Sequence, residues 1–133
     1  MGAWSHEPFG NDVAGDWAYD LLETKDLSLI ESTLNKAIEE SKEYLEAPDG
    51  EEAIAAVEVL AKIKGKGTQS DSYTEELDAW VAKHNHKPSD DLYAKAKQVL
   101  ELVCAEKSEL AELWEGQNEW KASINKLKSV LGL

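Results

Sequence analysis

Apolar residues recur three or four positions apart along almost the whole chain, and nowhere do they alternate with polar ones. That spacing matches the turn of an α-helix, about 3.6 residues, whereas a half-buried strand would show a period of two. The pattern predicts an all-α fold of six to seven helices. The first helix, from about residue 12 to 23, carries Val13, Ala14, Trp17, Ala18 and Leu21 on one stripe. The second opens at Ser28, spaced from Glu31 as a capping box, and its stripe runs through Ile30, Leu34, Ala37 and Ile38 to Leu45. "APDG" (residues 47–50) reads as a turn, after which Asp49 and Glu52 have cap-like spacing. The third helix buries Ala53, Ile54, Ala56, Val57, Leu60 and Ile63, and its alanines predict close approach by a neighbour.

Beyond it, "GKGTQSDSY" (residues 65–73) is the one long polar loop and reads as mobile. A fourth helix, residues 74–83, turns Leu77, Trp80 and Val81 inward, and "HNHKPS" ends it. Ser89 caps a fifth helix reaching Cys104. Ser108 starts a short sixth helix with Leu110, Leu113 and Trp114, and the last helix carries Trp120, Ile124, Leu127 and Leu131. Trp114 and Trp120 flank Gly116 and are placed to pack across the bend. At 133 residues the chain fits a single compact, bundle-like domain, with residues 1–11 packed on the helices.

Charge narrows the function classes. The net charge is −13, and all 14 basic residues are lysine. Such a surface repels polyanions, and without arginine the bidentate clamp for phosphate is missing. Nucleic acid is therefore an unfavourable partner, whereas a basic protein is a favourable one. No apolar run approaches the ~18 residues of a membrane span, no secretory leader is visible, and one cysteine makes no internal disulfide framework, so a cytoplasmic setting is expected.

Candidate sites follow from spacing. Asp12, Asp16, Asp20 and Glu23 fall four, four and three apart, on the helix face opposite Trp17. This row is either a solvated face or a contact for a basic partner; one straight helix cannot wrap a cation alone. His84 and His86 suit a helix C-terminus, where imidazolium meets the negative end of the dipole; zinc would need further ligands such as Asp90, Asp91 or His6. Cys104 reads as a buried, inert thiol, and Ser5-His6-Glu7 are consecutive and form no triad. Neither a metal site nor a cofactor site nor a catalytic set is expected.

The opening stretch carries the strongest local signal. Asn11 or Asp12 is placed to cap the first helix, with Asp16 reaching back from one turn later, Phe9 stapling the chain and Trp4 lying over the core as a lid. "MGAWSHEPFGNDVAGDW" resembles the start of a bacterial family, domain-of-unknown-function family 4259, whose members begin G-x-W-G-x-x-x-F-x-N-D-x-A-x-D-W. Gly2, Trp4, Phe9, Asn11, Asp12, Ala14, Asp16 and Trp17 match, while Ser5 stands where the family usually has glycine. The resemblance extends through "YLEAPDGEEAIAAVEVLA", "LDAWVAKH" and "SELAELWE". It implies a helical bacterial protein and transfers no mechanism. The expected function is a non-enzymatic acidic protein-binding domain, of which an immunity- or antitoxin-like protein is one form. The competing expectation is a small-ligand binder or enzyme, with a site formed by Trp4, Phe9, Asn11, Asp12 and Asp16.

Overall fold

A computed structural model describes residues 5–132, so Trp4 and its expected lid role lie outside the described residues. The described residues form seven helices: α1 (Asp12–Leu22), α2 (Ser28–Glu40), α3 (Ala47–Ile63), α4 (Glu75–His84), α5 (Asp90–Val103), α6 (Glu109–Leu113) and α7 (Asn118–Val130). The fold is all-α. Its organising element is α3, which touches each of the other six helices. Every residue from Ala53 to Ala61 is buried, so α3 is a central rod with no solvent face along that stretch. The sequence permits this because four alanines between Ala53 and Ala61 leave room for neighbouring backbones to approach from several sides. The surrounding helices are amphipathic and aim their stripes at the rod: Ala14, Trp17 and Leu21 from α1, Leu92, Ala96, Val99, Leu100 and Val103 from α5, and Trp120, Ile124 and Leu127 from α7.

Three caps form as expected. Asn11 accepts from the Ala14 N–H at 2.8 Å, Ser89 from Leu92 at 3.1 Å and Ser108 from Ala111 at 3.3 Å. Trp114 and Trp120 lie near-parallel with ring centroids 6.4 Å apart, closing the bend between α6 and α7. Asn85 ends α4 in the left-handed region, φ 47°.

Elsewhere the structure departs from the local reading. "APDG" is the first turn of α3, with Pro48 where its missing N–H is harmless. The free N–H of Ala47 is capped from far away, by Glu109 Oε1 at 2.7 Å. The Ser28–Glu31 box does not form; Asp26 instead accepts from the Ser28 N–H and Oγ at 3.0 and 2.7 Å. α2 stops at Glu40, and Leu45 is buried by a parallel backbone bridge beside Ser108, donating to the Lys107 carbonyl at 2.8 Å. Leu113 is 63% exposed, because a five-residue helix shows the core one face only and Leu110 takes it. No helix among the described residues is long and apolar enough to cross a membrane.

Candidate protein-interaction surface

Residues 5–11 fold into a tight turn and enter the core. Ser5 N–H donates to the Gly10 carbonyl at 3.2 Å, Gly10 N–H to the Glu7 carbonyl at 3.0 Å, and the Ser5 hydroxyl accepts from the Glu7 N–H at 3.2 Å. The turn thus closes with serine at position 5, and Gly10 is required opposite it, since a Cβ there would sit 2.0 Å from Ser5 Oγ. Phe9 is buried, and its N–H donates to Gln69 Oε1 at 2.8 Å across 60 residues of sequence. Asn11 is spent on the cap.

Asp16 does not reach back. It and Asp12 are exposed and form no side-chain hydrogen bond or ion pair among the described residues. Phe9 and Asn11 therefore point inward while Asp12 and Asp16 point out, and the structure does not bring these four together around one space. The seam where residues 5–11 meet α6 and α7 encloses about 20 Å³, room for roughly one water.

The acidic row stands on the surface as the spacing required. Asp12, Asp16, Asp20 and Glu23 are all exposed, and α1 carries no lysine to neutralise them. On the opposite side, Trp17 is buried with its Nε1–H donating to Thr33 Oγ1 at 2.9 Å, so its polar handle is already engaged. Between the two faces, α1 and α4 leave an open groove of about 270 Å³, with Tyr19 and Tyr73 on its rims, 67% and 64% exposed.

One polar centre escaped the local reading. Glu58, in the middle of α3, is fully buried. Its Oε2 accepts the Thr68 and Gln69 N–H groups at 2.8 and 2.9 Å, and its Oε1 accepts the Thr68 hydroxyl at 2.7 Å. Lys62 lies one turn on, 3.8 Å from the carboxylate, and also bonds the Gln69 carbonyl and Asp78 Oδ1, the latter at 2.7 Å. Gln69 links this centre to Phe9 and, through Nε2, to Asp71 at 3.0 Å. The loop expected to be mobile is thus pinned to the central helix. Gly67 makes room for it: a Cβ there would lie 2.6 Å from Lys62 Cγ. Burial pushes the Glu58 carboxyl up, against the pull of its Thr68 and Gln69 donors and Lys62. Such a shift also marks catalytic carboxylates, but none of the principal cavities is lined by Glu58, and no buried side-chain polar atom among the described residues lacks a partner. The centre is a structural anchor. The available signal was a Glu–Lys pair spaced i, i+4 inside an otherwise apolar run, residues 53–63.

The family model described as domain of unknown function DUF4259 matches residues 2–123. The chain belongs to this family. No curated protein and no solved structure matches it. The matched span of this DUF4259 protein includes the N-terminal turn, the acidic row, the α1–α4 groove and the Glu58 centre.

The remaining reactive side chains are in structural settings. His84 and His86 stack on each other at the end of α4, centroids 5.8 Å apart, and both lie near Trp80. His86 Nε2 contacts the Lys25 carbonyl at 2.8 Å, and Trp80 Nε1–H donates to the Thr24 carbonyl at 2.9 Å, tying α4 to the α1–α2 turn. No group of three or more His, Cys, Asp or Glu residues that could hold a metal occurs among the described residues. Cys104 is half-buried at the C-cap of α5, not fully buried. Its desolvation pushes the thiol up despite Lys121 and Lys128, which α7 brings near from outside its own helix.

Proposed function

We propose that this DUF4259 protein is a non-enzymatic binding domain that meets a basic protein through the outward face of α1. The observation that carries the reading is the exposed row of Asp12, Asp16, Asp20 and Glu23, four carboxylates without a cation partner among the described residues. Successive members stand roughly 5–6 Å apart along the helix axis, within the Debye length of about 8 Å at physiological salt, so a partner feels them together. The net charge of −13 extends that field and speeds encounter with cationic surfaces. An immunity- or antitoxin-like role, neutralising a basic toxin in the bacterial cytoplasm, is the specific form this chemistry suits.

Affinity capture at low ionic strength tests the reading, comparing the wild-type chain with one carrying Asp12→Asn, Asp16→Asn, Asp20→Asn and Glu23→Gln. A basic protein held by the wild type, released steeply by salt and lost from the neutralised chain, supports it. Equal capture by both chains, or no partner at low salt, refutes it.

A further inference from the structure

We propose that the groove between α1 and α4 is the docking site for the basic partner and takes apolar anchor residues from a lysine- or arginine-flanked amphipathic helix. This inference rests on the acidic-face reading and adds to it where the partner sits and what it inserts.

The groove has an apolar floor. Gly15, Ala18 and Leu22 follow one another along α1 at i, i+3 and i+7, facing Leu77 of α4, with Phe9 beneath and Tyr19, at i+4, rising from them to the rim. It is open at Gly15: a Cβ built there meets nothing within 4 Å. Nothing in the fold therefore demands a glycine, and in a helix interior glycine is the least favourable residue after proline. Its effect is to keep one wall of the groove low.

Size favours a side chain over a free small molecule. An apolar cavity of ~150 Å³ accepts one benzene, and ligand pockets start near ~300 Å³. At about 270 Å³ the groove holds one or two branched or aromatic side chains. Helices lay such anchors into grooves at the i, i+3, i+4 spacing that α1 itself presents.

Charge selects the occupant. None of the 14 lysines falls in residues 5–24 or 67–82, the stretches that build both walls. Exposed Glu76 lines the α4 side, and Glu75, also exposed, precedes it in the first turn of α4. Asp12 and Asp16 of α1 and Glu23 at its C-cap lie within about 60° of Tyr19 around the helix, so three members of the acidic row border the groove. A second copy of the chain would bring the same negative walls together and is disfavoured.

The test titrates the full-length protein with a synthetic amphipathic helix bearing leucines at i, i+3, i+4 and i+7 and lysines elsewhere, read by amide NMR. Expected are shifts at Gly15, Ala18, Leu22 and Leu77, lost when the peptide leucines become alanine. Gly15→Leu, which fills the groove from within, should weaken binding roughly tenfold or more with unchanged or higher melting temperature. Tyr19→Ser, on the exposed rim, should weaken it without touching the core. Binding confined to the acidic row and indifferent to Gly15→Leu and Tyr19→Ser overturns the groove while leaving the acidic-face reading intact. Groove binding that is equally strong with glutamates in place of the peptide lysines overturns the basic occupant and the acidic-face reading with it. No groove shift up to about 1 mM peptide overturns the docking site.

Discussion

Replacing Glu58 by alanine removes the acceptor for two backbone N–H groups, those of Thr68 and Gln69, and for the Thr68 hydroxyl. Each buried N–H left without an acceptor costs about 1–3 kcal/mol. Lys62 keeps Asp78 at 2.7 Å, which limits the charge imbalance. The expected loss is about 3–5 kcal/mol, or roughly 10–20 °C in melting temperature for a chain of this size. The loop should loosen first, so the Thr68 and Gln69 amides should exchange with solvent much faster than in the wild type. Glu58→Gln is the informative comparison. Its amide oxygen can take the Oε2 position and accept both N–H groups, while its NH₂ faces the Thr68 hydroxyl, which rotates to accept. This variant should stay within about 1 kcal/mol of wild type near neutral pH.

The pH dependence of the same pair has a definite sign. Burial raises the folded-state value of Glu58 above its ordinary 4.5, so in that window the folded chain binds more protons than the unfolded one. The proton-linked part of this group's contribution therefore rises as pH falls from the folded value toward 4.5, is fully present below 4.5 and is absent above the folded value, where the hydrogen bonds of the ionised carboxylate remain. Glu51 and Glu52, also raised by burial, are common to both chains. The wild type should thus gain on Glu58→Gln upon acidification through the window. Thermal unfolding followed by circular dichroism measures all of this. A Glu58→Ala penalty below about 1 kcal/mol, with unchanged exchange at Thr68 and Gln69, would refute the loop anchor.

Gly15→Ala should raise stability by about 0.5–1 kcal/mol, since the added Cβ meets nothing and only the helix penalty of glycine is removed; a fall in melting temperature contradicts the open wall. Asn11→Ala should cost about 1–2 kcal/mol through loss of the Ala14 cap, with Asn11→Asp restoring most of it in chemical denaturation. Asp16→Ala, by contrast, should stay within about 0.5 kcal/mol, because the side chain is exposed and bonds nothing in the fold. Cys104 should react slowly with iodoacetamide near neutral pH and faster as pH rises past the ordinary thiol value of 9.0; rapid neutral-pH alkylation contradicts a thiol pushed up by burial.

Much of the architecture was legible in the chain because it depends on near neighbours. An amphipathic stripe commits α1, α5 and α7 to one buried face each, and Asn11, Ser89 and Ser108 cap helices only three residues away. The outward direction of Asp12, Asp16, Asp20 and Glu23 follows from the same geometry, since a residue four positions on returns to the same face. The paired tryptophans across Gly116 were legible for a similar reason, being six residues apart around a single bend.

Tertiary structure decided the rest, wherever a group had two local options and a distant partner chose between them. "APDG" could end a turn or begin a helix until Glu109 supplied the cap for Ala47. The 65–73 segment had the composition of a free loop until Glu58 offered two of its N–H groups an acceptor in the core. The groove belongs to neither α1 nor α4 alone. Its floor joins residues more than fifty positions apart, and the acidic border became a wall only when packing on α3 set those two helices side by side. Helical periodicity specifies which face of a helix is buried; it carries no information about which other helix will bury it, and that pairing is where the candidate binding surface arises.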